Sequence, residues 1–243
     1  MITRKLIGTN LDITQEKGNA FNLDTVLLAD FIDLNKSVKK IIDFGTGNGG
    51  LLLYLSLQTK AALIGLEVQK QRVLLANHNV QINNLQNQIK IIEVDINNYK
   101  EDGFADIVIS NPPFFKYHDM KRININEDAS IARHEVLIDL HTLINKMCQM
   151  LNNKGKLFMI HRPERLEEIM IALKNNKMSI KKLRFVHPYH NSSANHVLIE
   201  AQKTLKCGII VVEPLILYDN KHEISQELHE IYGGRKYVTS GVK

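Results

Sequence analysis

Lys39-Lys40-Ile41-Ile42-Asp43-Phe44-Gly45-Thr46-Gly47-Asn48-Gly49-Gly50 is the stretch on which the fold turns. A short apolar run, IIDF, suits a strand buried on both faces. The glycines that follow allow a tight turn and close approach of backbone to a ligand. Residues 51–59, LLLYLSLQT, then read as a helix. Gly45-x-Gly47-x-x-Gly50 also meets the spacing of the dinucleotide fingerprint, so spacing alone leaves open which nucleotide-like ligand the turn would serve.

Outward from this turn the same alternation repeats. ALIGLEV (62–68), IKIIEVD (89–95), ADIVISNPPF (105–114) and GKLFMIH (155–161) read as strands, and residues 69–84, 135–153 and 163–176 as helices. The 135–153 helix is expected to stop at Lys154-Gly155. IKKLRFVH (180–187) and HVLIEAQK (196–203) are joined by PYHNSSAN, too short for a crossover helix, so they should pair antiparallel. The expectation is an α/β fold: a doubly wound, mostly parallel, seven-stranded sheet ending in an antiparallel hairpin. We divide the chain into an N-terminal extension (1–38) capping the ligand pocket, a core (39–204) and a C-terminal extension (205–243) whose role the sequence does not reveal.

The 243 residues suffice for one compact domain with a sizeable core. Cys148 and Cys207 lack metal-ligand spacing, which supports neither a disulfide framework nor a zinc site. LLLYL and GIIVV are too short to span a bilayer. The first residues, MITRKLIGTN, lack the apolar centre of a signal peptide. A reducing, cytoplasmic setting and a monomer are expected, with no membrane association.

The net charge of +5 is unevenly spread. Residues 1–114 sum to −1 and 115–243 to +6; within 154–206 alone, eleven Lys or Arg face four Glu. Such clustering suits a polyanion.

Three features could carry chemistry. At strand ends beyond the glycine turn stand Glu67 and Asp95, where an open parallel sheet binds ligands. Glu67 suits a pair of ribose hydroxyls, and Asp95 suits an adenine amino group. The third is Asn111-Pro112-Pro113-Phe114, whose prolines stiffen the backbone after a strand. It presents an amide acceptor and an aromatic face, the requirements of an amine conjugated to a planar ring. His187, His190 and His196 cluster around a turn without accompanying acids or thiols, so no metal is expected.

DFGTGNG followed by NPPF resembles the S-adenosylmethionine-dependent amino-methyltransferases. FNLDTVLLADF (21–31), IARHE (131–135), HRPERL (161–166) and VLIEAQK (197–203) extend the likeness to the bacterial tRNA1(Val) adenine-37 N6-methyltransferase family. NPPF is shared with DNA adenine, rRNA guanine-N2 and release-factor glutamine methyltransferases. The alternatives are therefore another amine substrate, or an RNA-binding module without catalysis. Phe114 stands where many relatives carry Tyr, a change that keeps stacking. The resemblance implies a class I Rossmann-like fold and S-adenosylmethionine held by Asp24, Asp43, Gly45, Gly47, Glu67, Asp95 and Asn111. It implies methyl transfer to adenine N6 at Asn111, Pro112, Pro113 and Phe114. Lys116, Arg133, Arg162, Arg165, Lys181, Lys182 and Arg184 are the expected tRNA contacts.

Overall fold

A computed structural model describes residues 1–16, 23–99, 105–113, 140–219 and 222–237. A separate antiparallel hairpin opens the chain, formed by β1 (Ile2–Lys5) and β2 (Asp12–Gln15). Helix α1 (Leu23–Phe31) leads into β3 (Lys40–Phe44), α2 (Gly50–Ser56), β4 (Ala62–Glu67), α3 (Lys70–Ile82), β5 (Ile89–Glu93) and β6 (Ala105–Ser110). After it come α4 (Leu140–Met150), β7 (Leu151–His161), a single 3-10 turn (Pro163–Arg165), α5 (Leu166–Asn175), β8 (Met178–His187) and β9 (His196–Lys203). Two-residue strands β10 (Ile210–Val211) and β11 (Leu215–Ile216) and helix α6 (Gln226–Tyr232) complete the described residues.

The main sheet runs β10-β8-β9-β7-β6-β3-β4-β5, with β11 also on β8. Strands β5, β4, β3, β6 and β7 are mutually parallel, and β9 lies antiparallel between β7 and β8. The expected doubly wound sheet with its terminal hairpin is thus present, and β10 and β11 add parallel pairing along the outer edge of β8.

Side-chain alternation along the strands builds two cores. Ile41, Leu63, Ile107 and Ile109 face one side, where Leu27 and Leu28 of α1, Leu52 and Leu53 of α2, and Leu228 and Ile231 of α6 pack on them. Ile42, Ile64, Val108 and Met159 face the other, covered by Ile144 and Met147 of α4 and Ile169 and Leu173 of α5. Continuous apolar strands are the consequence of helices on both faces.

The 135–153 helix needs correction. Its residues 135–139 lie outside those described, and the helix ends at Met150, not at Lys154-Gly155. Leu151 already pairs with Ala105, and the register shifts before Lys156 pairs with Ile107. Lys154 takes a left-handed φ of 66° within this bulge, and Asn152 Nδ2 ties it to Asp106 Oδ1 at 2.6 Å. Gly155 therefore belongs to the strand rather than to a helix stop. The segment expected as one helix from 163 instead starts as the 3-10 turn.

Sequence order reverses at β3, which has β4 on one side and β6 on the other. A crevice opens beyond the carboxyl ends of strands at such a switch point. The glycine turn leaves β3 and Asn111 leaves β6, so both emerge there.

Candidate active site

The turn after β3 is a cradle of backbone. Gly45 and Gly47 adopt φ of 76° and 58°, left-handed values that side chains disfavour, and a Cβ on either would meet nothing within 4 Å. Glycine is thus required by conformation, and the space beside it stays open. Amides of Gly45 and Thr46 both donate to Leu66 O of β4, at 2.9 and 3.0 Å. Glu67 fixes the other side, accepting from Gly47 N at 3.0 Å and Gln69 N at 2.9 Å.

This cradle forms one wall of a cavity of about 480 Å³. Asp43, Gly45, Gly47 and Asn111, four of the residues expected at a cofactor, line it. Leu6, Ile13, Gln15 and Glu16 of the N-terminal hairpin supply the opposite wall. The hairpin is docked by Asn79 of α3 and by Asn83, the residue that follows the end of that helix. Asn79 accepts from Thr14 N at 2.8 Å and donates to Thr14 O at 3.1 Å and to Asn48 O of the glycine turn at 2.9 Å. Asn83 repeats the reciprocal pattern with Asp12 N and O, at 2.8 and 2.7 Å. These amides give β2 the hydrogen bonds that a neighbouring strand would.

Asp43 is 2% exposed. Burial pushes its carboxyl up to about 7, against the lowering effect of the Thr46 hydroxyl, and the Glu67 carboxylate pushes it further up. A cationic group entering the cavity would reverse that balance. The cavity thus offers polar backbone, a carboxyl poised to ionise and an apolar floor at Leu51 and Leu75.

Asn111 projects from the end of β6, and its Nδ2 donates to Thr25 Oγ1 of α1 at 3.4 Å. That bond leaves the carboxamide oxygen available as an acceptor. Pro112 is half-buried and Pro113 exposed. Phe114, Lys116 and Arg133 lie outside the described residues.

Other expected residues are placed differently. Glu67 is 4% exposed and braces the turn from behind rather than lining the cavity. Asp95 Oδ1, just beyond the end of β5, accepts from Asn97 N at 2.8 Å. Asp24 is turned from the cavity toward His196, with Oδ1 3.1 Å from Nε2. Thr25 and Leu23 line the cavity in its place, as do Asn48 and Arg72. Thr25 lies within FNLDTVLLADF, but only the packing of α1 against α2 and β7 reveals which side of that helix faces inward.

The expected tRNA contacts are separated. Arg165 makes a two-pronged pair with Glu168, at 2.7 and 2.5 Å. Lys182 bonds Asp33 at 2.8 Å, stands 3.6 Å from Glu200 and lies 4.6 Å from the Phe31 ring centroid. Arg184 meets Glu227 at 2.6 Å, and Lys181 donates to Lys206 O. Lys181, Lys182 and Arg184 sit along the middle of β8, whereas Arg162 stands beyond the end of β7 on the edge shared with Asn111. Of the three histidines, only His196 is buried; among the described residues no group of three His, Cys, Asp or Glu side chains is placed to hold a metal ion.

A profile for the methyltransferase small domain matches residues 19–184, from α1 through most of β8. The chain belongs to the methyltransferase small domain family. Among its relatives, the tRNA1(Val) (adenine(37)-N6)-methyltransferase of Phocaeicola vulgatus is 25% identical over 205 residues, covering 84% of this chain and 85% of its own. The protein of the same name from Parabacteroides distasonis is 25% identical over 86% of each chain. Among solved structures, a predicted O-methyltransferase from Agrobacterium tumefaciens superposes with a TM-score of 0.68 at 19% identity, over 88% of this chain and 97% of the other. Geranyl diphosphate C-methyltransferase from Streptomyces coelicolor, solved with S-adenosyl-L-homocysteine, gives 0.58 at 13% identity, over 74% of this chain and 76% of the other. For this methyltransferase the structural likeness shows the fold. Among the described residues no helix is long and apolar enough to cross a membrane.

Proposed function

We propose that this methyltransferase uses S-adenosylmethionine to methylate the exocyclic N6 of an adenine in tRNA, and that the adenine is position 37 of tRNA1(Val). The carrying observation is Asn111, which lines the cavity together with the glycine cradle and whose Nδ2 donates to Thr25 Oγ1. Relatives bearing that activity in their names match over most of the chain and support the substrate.

The residues present fit the cofactor. Gly45 and Gly47 leave open space where a Cβ would stand, and the buried Asp43 carboxyl suits a cationic ligand. S-adenosylmethionine, when bound, supplies an electrophilic sulfonium methyl. Asp43, Gly45, Gly47 and Asn111 would hold it directly, while Glu67 keeps the Gly47 amide in place. Asp95 stands at the next strand end, where the adenine portion would lie.

Adenine N6 is a weak nucleophile because its lone pair is delocalised into the ring. Asn111 Oδ1 and the Pro112 carbonyl accept its two hydrogens, which favours a pyramidal nitrogen with its lone pair directed at the methyl group. Pro112 and Pro113 limit the backbone freedom that would blur this arrangement. Phe114 stacks on the base once it has left its neighbours, an interaction worth ~1–3 kcal/mol. Lys116, Arg133 and Arg162 are the tRNA contacts we favour, Arg162 because it stands on the sheet edge shared with Asn111 although it also donates to Asn195 O. Arg165, Lys182 and Arg184 are each paired with an acid of the protein, and Lys181 donates to a backbone carbonyl.

The test is incubation of the purified protein with labelled S-adenosylmethionine and unmodified tRNA, followed by nucleoside analysis. Label in N6-methyladenosine, lost in Asn111→Ala, supports the reading. Label in another nucleoside, in protein, or in none refutes it.

A further inference from the structure

Behind the cavity wall, where β7, β9 and the first turn of α1 converge, lies a polar cluster that the proposed chemistry does not use. His196, the first residue of β9, is 6% exposed. Its Nε2 stands 3.1 Å from Asp24 Oδ1, and its Nδ1 stands 2.9 Å from Asn195 Oδ1. Arg162 Nη1 donates to Asn195 O at 2.9 Å, and Asn195 N donates to Val186 O at 2.8 Å. The imidazole is therefore held by the rim of the sheet, and Asp24 is held by the imidazole.

Asp24 and Thr25 are consecutive residues of α1, so their side chains leave the helix about 100° apart. Turning Asp24 toward β9 turns Thr25 toward the cavity, where its hydroxyl meets Asn111 Nδ2. This pairing lies in the first turn of a helix, the part most prone to fray. A side-chain tether there sets both the position and the rotation of the turn.

The pair is an expensive way to fill space. Burial raises the Asp24 carboxyl and lowers the His196 imidazole, which shows both charged forms to be disfavoured. Arg162 faces both groups, and Glu164 also faces His196. Buried pairs of this kind add little stability over apolar packing of the same volume, and their best-attested use is to specify an arrangement.

We infer that Asp24 and His196 form a positioning latch, which sets Thr25 against Asn111 and so holds in place the amide that accepts the hydrogens of the target amine. The inference rests on the proposed role of Asn111. Neither latch residue touches substrate; both act through Thr25.

Variants His196→Ala, His196→Gln, Asp24→Asn and the double variant Asp24→Asn/His196→Ala test it, with folded fraction measured by thermal melting. His196→Ala and Asp24→Asn should each lower kcat about tenfold per folded molecule, with KM for tRNA and calorimetric Kd for S-adenosylmethionine within twofold of wild type. His196→Gln retains a donor toward Asp24 and should recover most of kcat. The double variant should be no slower than the slower single one. A readout independent of activity is the NMR signal pair of the Asn111 side-chain amide, assigned by its loss in Asn111→Ala. It should shift or broaden in both single variants and stay in place in His190→Ala.

Unmoved amide signals overturn the latch, as does unchanged kcat in variants that only melt earlier. Weakening of cofactor binding beyond twofold in Asp24→Asn also overturns it, in favour of direct cofactor contact by that carboxylate. If the wild-type protein fails to methylate adenine in tRNA, the functional reading falls, and the amide signals still decide the latch.

Discussion

Gly8 and Gly234 cross at such close range that a Cβ on Gly234 would stand 2.0 Å from the Gly8 carbonyl oxygen. The residues after α6 thereby lie across the loop of the N-terminal hairpin. The crossing is bolted on either side. Tyr54 Oη donates to Ile7 O at 3.0 Å, its ring lies 5.3 Å from that of Tyr237, and Arg235 pairs with Asp30 at 2.5 Å. Leu6 and Tyr54 both line the cavity, so the C-terminal residues that pack on Tyr54 support its wall from outside.

Gly234→Ala should therefore destabilise the fold by more than the ~1–2 kcal/mol that a left-handed alanine costs, since the clash adds to it. Its φ is 78°, so both effects operate. Urea unfolding should show a lower midpoint. Cofactor affinity should fall with it as the hairpin wall loosens, and an unchanged midpoint would contradict the crossing.

Asn79→Ala should cost roughly 2–4 kcal/mol, because Thr14 N, Thr14 O and Asn48 O all lose their partner in a buried setting. Calorimetry should record weaker binding of S-adenosylmethionine, since one side chain ties the hairpin wall to the glycine cradle. Asn79→Asp keeps only the acceptor and should not rescue binding.

The pH dependence of stability should include opposing contributions from Asp43 and His161, beside those of the Asp24–His196 pair. Asp43 is raised from 3.8 to about 7 by burial, with Glu67 adding, so its contribution is full below 3.8 and is lost as pH rises through 7. His161 is lowered from 6.5 to about 4, chiefly by burial and then by Arg165, so its contribution is full above 6.5 and is lost as pH falls through 4. Between these limits the slopes oppose each other, each up to about 1.4 kcal/mol per pH unit. Asp43→Asn should remove the opposing slope, so that stability rises more steeply from pH 4 to 6.5 than in the wild type.

The same carboxyl links cofactor binding to protons. A cationic ligand favours ionised Asp43, so affinity for S-adenosylmethionine should rise between pH 6 and 8, with release of a fraction of a proton near pH 7. Titrations in buffers of different ionisation enthalpy measure that release. Asp43→Asn should abolish it.

Lys182→Ala and Arg165→Ala should leave the salt slope of tRNA binding unchanged, because Asp33 and Glu200 neutralise the one and Glu168 the other. Arg133→Ala or Lys116→Ala should reduce the slope by about one if each meets a phosphate. A reduced slope for Lys182→Ala would return the β8 cations to the tRNA surface.

Local signals sufficed for much of this protein. The apolar run at 41–44, the glycines at 45 and 47 and the prolines at 112 and 113 act through their own backbone preferences and periodicity. They identified the parallel sheet, the turn at its switch point and the rigid strand end that carries Asn111. The basic surplus in the second half was equally plain, but a count of charges carries no information about partners.

What only the tertiary structure decided is direction. Glu67, Asp95 and Asp24 all lie near strand or helix ends, yet Asp43 rather than any of them lines the cavity, because rotation of α1 and bracing of the turn depend on residues far away in sequence. Helix α4 stopped at Met150 because pairing of Leu151 with Ala105 outweighed its own helical pattern. Lys182 and Arg184 reached acids 149 and 43 residues distant, and so spend their charge inside the molecule. Periodicity and backbone restriction are written residue by residue; which way a side chain points, and what neutralises it, is settled only when distant segments pack.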